Sequence, residues 1–519
     1  LFIRDPDGEY FAGGGGGAGT TDSSRNTPNG AGGIGGGGAA GEDGAPTTGG
    51  GGGFAGAAGT VYLKTADGSD TLIIDGNNIW ASNNTRIIYS SRVTTLMPPA
   101  PNAVDLNAFA QVEIKRRGQL GVGASTTLDF GSFAPTTHGA DASYIALHDD
   151  TGVTYPADWT IDGYTLFVNT IAEEKNLTNI TIGATGALSH FQNVNTEIHK
   201  LDLTIPGNLT IQSGGAINAD DRGYNRYGPG HLNDSYGAAH GGTALMSSHG
   251  GGQPLVNPKV YGSIFNPVNV GSRGHPNEAS AGGAVMLTVG GTTQVMSPGR
   301  ISVNANGGNR PGSGGSILLR TGSLTGDGAI QAHGCSVTWN NGIGGGGGRI
   351  AVYLTGTGED FAGWTGTITA YGGTANSSPM PRRHGAAGTV YRQLAAQADG
   401  AGTVTVDNTT RAKNEAWTTL PAFAGSTENL ERTAWVTANN ARIGLVTNVA
   451  IDRIDINTDG VLDLNGFTLT LKAATLGGVP VGSGVHTAAS LDSPFVTDES
   501  DPQTGQLVIP PPGSLFLLR

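Results

Sequence analysis

The side chains able to do chemistry are few and scattered. Asp149 with Asp150, Asp220 with Asp221, and Asp452 with Asp455 are the carboxylate pairs that could act together. An enzyme that cuts polysaccharide needs two carboxylates, or an aspartate cluster with calcium and a basic residue, turned into one groove. Each pair sits at a turn or strand end without a convincing basic partner nearby in sequence, which fits a solvated carboxylate. Asp5 and Asp7 in Arg4-Asp5-Pro6-Asp7-Gly8 could open a calcium loop. The bidentate glutamate that closes such a loop does not follow, and an Asp-Pro turn explains the same residues. His231, His240 and His249 fall nine apart, but GHLND, AAHGG and SSHGG are not zinc spacings, and a repeat gives the same interval. Trp159, Trp339, Trp364, Trp417 and Trp435 could stack on sugars if exposed, or could cap coil ends and anchor glycine arms. The expectation is no catalytic residue and no cofactor, with Asp5 and Asp7 the calcium candidates.

The composition points away from an average enzyme. Glycine supplies 89 of 519 residues, more than twice the usual share of about 7 per cent. Charged residues make up 13 per cent, half the usual ~25 per cent. There is no Gly-X-Y period, so collagen is excluded. A net charge of −13 disfavours phosphate backbones, and no nucleic-acid partner is expected. Lys115, Arg116 and Arg117 form the main basic cluster, read as a solvated strand end. A single cysteine, Cys335, makes no internal disulfide. No run approaches the ~18 apolar residues of a membrane span, and LFIRDPDGEY lacks the basic and apolar regions of a signal peptide. The expectation is a processed product or a piece of something longer.

The elements that must carry these residues are short strands. TVYLK (Thr60 to Lys64), TLIIDG (Thr71 to Gly76), VEIKRRGQLGV (Val112 to Val122), YTLFVN (Tyr164 to Asn169) and NITIG (Asn179 to Gly183) alternate apolar and polar residues, the period-2 signal of half-buried strands. Amphipathic helical patterns are lacking. From Gly282 to Tyr391, glycine runs pass straight into strands (GGAVMLTV, GGSILLRT, GIGGGGGRIAVYL, GAAGTVYR) and alternate with a second short strand type (GRISVNA, GAIQA, GTITA). This repeat of roughly 30 to 40 residues signals a stacked architecture. The fold class expected is all-β, with β-solenoid (parallel β-helix-like) segments and glycine-rich arms packed as polyglycine II helices. Gly344, Gly345, Gly346, Gly347 and Gly348 are the candidates for arm packing, because a threefold extended helix packs closely only without Cβ atoms.

Four segments follow: an N-terminal glycine-rich arm over 1–58, a first β-rich segment over 59–213, a glycine-rich repeat region over 214–392, and a second β-rich segment with a C-terminal strand over 393–519. GAAGTVY at Gly56 to Tyr62 recurs at Gly385 to Tyr391. Aligning VEIKRRGQLGV with IDINTDGVLDL (Ile454 to Leu464) keeps the offset within 329 to 342, so the chain reads as two copies of one module.

GGAINADDRGY, YGAAHGG, GGAVMLTVGGT, GGSILLRTGSLTGDGAIQAHG, GGGGRIAVY and GTITAYGG together resemble the glycine-rich repeats of very large secreted or surface-anchored bacterial proteins. The ending GVLDLNGFTLTLKAATLGGVPVGSGVHTAASL (Gly460 to Leu491) looks like the closing segment of autotransporter-type passengers. In composition the chain is similar to phage adhesins and receptor ectodomains with polyglycine II arms. The resemblance implies an extracellular or cell-surface structural or adhesive protein, with a glycan or cell-surface ligand as a partner and no membrane span of its own. The two apolar termini, Leu1, Phe2 and Ile3 at one end and Leu515, Phe516, Leu517 and Leu518 at the other, are the assembly candidates. Their exposed strand edges would join subunits end to end into a polymer. The alternative is a parallel β-helix enzyme acting on polysaccharide, or a carbohydrate-binding adhesin module.

Overall fold

The computed structural model describes residues 2–4, 10–12, 60–64, 68–76, 95–96 and 104–513, apart from 142, 172–175, 232–236, 245–258, 275–279, 307–310, 338–342, 376–383, 410–415, 458 and 499–503. For 2–4, 10–12, 60 and 95–96 it describes the backbone only. Asp5, Asp7, Leu1, Leu515, Phe516, Leu517, Leu518, Trp339 and His249 lie outside the described residues. The described chain is nearly all β, most of its strands pairing in parallel. It has no helix among the described residues long and apolar enough to cross a membrane, which says nothing of strands. It divides into two compact units: Leu1–Phe191 with Leu203–Asn218 and Gln294–Arg300, and Gln192–Asp202 with Ala219–Thr293 and Ile301–Arg519.

In the first unit the chain visits its sheets in rotation. Gly118–Val122, Ser143–Leu147, Thr165–Phe167, Ala187–Ser189 and Ala216–Asn218 pair in parallel along one sheet. Asp158–Ile161, Asn179–Ile182 and Leu209–Ile211 do so along another. The strand period of two sends alternate residues to opposite faces, so an in-register stack places like residues in columns. Leu120, Ile145, Leu166, Leu188 and Ile217 make one such column, and Ile161, Ile182 and Ile211 another, all with no exposed surface. Burying each is worth about 1.5–3 kcal/mol.

The second unit contains the glycine-to-strand junctions. Ala284–Val295, Ser316–Gly326, Arg349–Leu354 and Thr389–Leu394 follow them, with Ser316, Arg349 and Thr389 in register. Beyond these the chain returns to a rotation of three parallel sheets. Thr403–Asp407, Ala434–Ala438, Arg453–Ile456 and Ala473–Leu476 line one. Thr418–Leu420, Arg442–Leu445, Val461–Asp463 and Val496–Thr497 line the second, and Val449–Ala450, Thr468–Thr470 and Gln506–Ile509 the third. Their inner residues, Trp435, Ile454, Ile443, Leu462, Leu469 and Leu507 among them, are buried in one cluster.

The internal duplication takes a different register from the sequence alignment. Thr60–Lys64 runs antiparallel to Asp70–Asp75, which then pairs in parallel with Gln111–Lys115. Thr389–Leu394 likewise runs antiparallel to Thr403–Asp407, which pairs in parallel with Ala434–Ala438. The counterpart of Val112 to Val122 is therefore Trp435 to Leu445, not Ile454 to Leu464. The backbone agrees: Arg116 and Arg117 have φ of 46° and 70°, Asn439 and Asn440 of 44° and 58°. Sequence similarity misleads because apolar alternation recurs at every strand, whereas two consecutive non-glycine residues at positive φ occur, among the described residues, only at 116–117 and 439–440.

Candidate functional site

The feature that most distinguishes this chain is the backbone-bonded core around Gly344–Gly348. These residues are buried, and their amides go to four different residues of three segments. Gly345 N–H donates to Cys335 O at 3.0 Å, Gly346 to Ala238 O at 3.0 Å, Gly347 to Ala386 O at 2.9 Å and Gly348 to Ala332 O at 2.8 Å. Their carbonyls accept from Gly373, Gly314, Gly241 with Gly242, and Thr389 in turn. Gly345 and Gly348, three apart, thus address one neighbour at Cys335 and Ala332, also three apart and in the opposite direction.

The same interval governs close approach. A Cβ on Gly344 or Gly347 would meet the carbonyl oxygens of Gly373 and Ala370, and on Gly345 or Gly348 those of Gly312 and Gly315. On Gly385 or Gly388 it would meet those of Gly345 and Gly348. All these separations fall under 3.0 Å, a distance real Cβ atoms essentially never show. Glycine is required here for its missing side chain: neighbouring backbones lie where a methyl group would be.

Side chains secure the margin of this core. Thr243 Oγ1 donates to Trp417 O at 2.9 Å and accepts from Trp417 N–H at 3.1 Å, fastening the 237–244 arm to the strand Thr418–Leu420. Arg349, directly after the glycine run, is wholly buried. Its Nε donates to Tyr261 O at 3.0 Å, Nη1 to Thr389 Oγ1 at 3.2 Å and Nη2 to Ala422 O at 3.1 Å. Burial lowers its pKa to about 10, against the opposing fields of Glu428 and Tyr261, so it remains cationic at neutral pH.

Arg349 also holds a strap, Val260 to Arg273, over the outer face of its sheet. Glu428 Oε1 accepts from the amides of Ile264 and Phe265 at 2.9 and 3.1 Å. Tyr353 O–H donates to Phe265 O at 2.6 Å, and Ser316 Oγ to Asn269 O at 2.6 Å. Ile264 and Val270 pack into the main cluster beneath. His240 lies under the strap, stacked on Tyr261 with ring centroids 4.5 Å apart. Its Nδ1 meets Gly314 O at 2.8 Å; a carbonyl only accepts, so Nδ1 carries the hydrogen. Nε2 is buried without a hydrogen-bond partner. Burial, and then the charge of Arg349, depress the His240 pKa to about 3.

The other residues singled out in the sequence fall elsewhere. Phe2 and Ile3 lie in the strand Phe2–Arg4, antiparallel to Tyr10–Ala12. Asp149 Oδ1 accepts from Thr151 N–H. Asp220 accepts from Asn304 N–H, and Asp221 from Asn306 N–H and Ser280 Oγ, joining successive repeats. Asp452 pairs with Lys472 at 2.7 Å. Asp220, Asp221 and Asp452 therefore tie segments 20 or more residues apart, whereas Asp149 bonds within its own turn. His231 packs against Tyr227, its ring tilted at 54° and the centroids 4.5 Å apart. No group of three or more His, Cys, Asp or Glu able to hold a metal occurs among the described residues. Trp159, Trp364, Trp417 and Trp435 are buried, at most 8 per cent exposed, so they are not sugar-stacking platforms. Trp159 packs on Phe130 and Tyr155, and Trp417 lies under Arg442.

Sequence reasoning passed over Arg349, His240 as a core residue, and the strap. The one signal was a charged residue placed between a glycine run and a strand of otherwise apolar type. No family model, curated protein or solved structure matches the chain.

Proposed function

We propose that this chain is an extracellular structural or adhesive protein, the repeating subunit of a surface filament or sheath. Its glycine segments act as a polyglycine II bundle fused to β-solenoid coils. The observation that carries the reading is the three-residue interval of Gly344–Gly348. A helix of three residues per turn directs every third residue to the same neighbour, and that is the pattern of the amide donors of Gly345 and Gly348 and of the close approaches along the run.

Such a core gains cohesion from backbone bonds instead of side-chain chemistry. Ordering so much glycine is entropically costly, and the cost is offset only by many lateral contacts made together. The product is a stiff body with few accessible peptide bonds, suited to bearing load or presenting a surface outside the cell. Assembly end to end through the terminal strands remains part of this proposal. Electron microscopy and sedimentation of the native material test it. Filaments or sheets are expected, and a strictly monomeric protein that releases sugar from a polysaccharide panel would sink it.

A further inference from the structure

The strap from Val260 to Arg273 rests on a balance of charge that its apolar contacts alone do not explain. Beneath it sit a permanent cation, Arg349, and a neutral imidazole, His240, both without exposed surface. The imidazole has spent its one hydrogen on Gly314 O, and its Nε2 lone pair faces Gly262. A Cβ on Gly262 would lie 3.2 Å from that nitrogen, 3.3 Å from Asn269 Oδ1 and 3.7 Å from Arg349 Nε. Gly262 has φ of 80° and closes this gap with backbone alone. A proton arriving at Nε2 would therefore stand near Arg349 in the buried interior.

We propose that the strap is an acid-releasable latch: His240 takes up a proton from solvent when the strap lifts, and the fixed charge of Arg349 resists that proton while it is closed. The groups facing His240 are Tyr261 on the strap and Arg349 on the strand Arg349–Leu354. Gly314 and Gly315, on the neighbouring glycine segment, offer only backbone, which favours the proton but is outweighed by burial and by Arg349. Two carboxylates act on the cluster from further out. Glu428 is occupied by the strap's own amides, and Glu197 is paired with Lys200 at 2.6 Å. Neither is hydrogen-bonded to Arg349 or His240.

The sign follows from linkage. The closed state depresses the affinity of His240 for a proton, so the open state binds more protons wherever the two differ. Closure is fully favoured above about 6.5, the ordinary histidine value, and loses strength as pH falls from there toward about 3. Arg349 holds Tyr261 O and the ring of Tyr261 covers His240, so both contacts break in the same movement. The latch depends on these contacts alone, whether or not the chain assembles.

Hydrogen–deuterium exchange of the intact protein, corrected for intrinsic exchange, tests it. Amides of Ile264, Phe265 and Val270 should keep constant protection above pH 6.5 and lose about tenfold per pH unit below it. Amides of Ile317, Leu318 and Leu319 in the underlying strand should stay protected. His240→Leu should abolish the pH dependence of the strap between pH 6.5 and 4. Should that variant not fold, nitrogen-15 spectra of the wild-type histidines replace it, with the neutral Nδ1–H tautomer of His240 expected at pH 5 in the closed protein. A strap whose protection does not vary with pH, loss in step with the underlying strand, or a His240 imidazolium under a closed strap would overturn the latch.

Discussion

Gly346 carries the sharpest consequence of the backbone core. A Cβ there would strike the carbonyl of Gly242, and both belong to buried segments that have no flexible end to move aside. Gly346→Val is expected to destabilise the second unit by about 3 kcal/mol or more, since overpacking against rigid neighbours reaches the top of its usual range. Gly123→Ala is the control: nothing lies within 4 Å of its added Cβ, and the change should stay within about 0.5 kcal/mol. Urea denaturation of the two variants beside the parent measures both. Arg349 makes a parallel case. Arg349→Met keeps the volume but leaves Tyr261 O and Ala422 O buried without donors, each costing about 1–3 kcal/mol. Thermal unfolding should drop accordingly, and exchange of the strap amides should rise first. A normal melting temperature with unchanged exchange would mean that the three bonds contribute nothing net.

The duplicated turn shows how two residues fix the register between one strand and the next. Asn439-Asn440 and Arg116-Arg117 occupy the left-handed region that asparagine and glycine tolerate and branched residues do not. Arginine persists at the first copy because Arg116 reaches the buried Asp75, its Nε at 2.7 Å from Oδ1. Asn440→Val should cost about 1–2 kcal/mol through strain alone, while Asn440→Gly should lie within about 0.5 kcal/mol of the parent. Chemical denaturation of this pair separates strain from lost side-chain contacts. The strands themselves were legible from alternation, because a column such as Leu120, Ile145, Leu166 and Leu188 needs an apolar residue at every second position of each strand. Their pairing was not. In a parallel stack every strand offers the next a similar pattern, so alternation alone matches Val112 as well to Ile454 as to Trp435.

For the assembled material, the proposal predicts resistance to proteases and a polymer that forms without cofactor. Deleting Ser514 to Arg519 tests the end-to-end joint separately from the glycine core: truncated protein that folds but sediments as a monomer supports joining through the terminal strand. Unchanged filaments would rule that joint out while leaving the packed core intact.

The amino-acid sequence determined the all-β character, the repeat and the need for glycine before each long strand, since these depend on local periodicity and on what a missing Cβ permits. It did not distinguish glycines that turn a loop from glycines that other backbones press against; that depends on which carbonyls come to lie beside Gly344 to Gly348. It also gave His240 as one of three evenly spaced histidines and Arg349 as a lone charge at a strand start. Only the folded chain brings them together under one strap, because burial and the field of a neighbouring cation arise from segments more than a hundred residues apart in sequence, as His240 and Arg349 are.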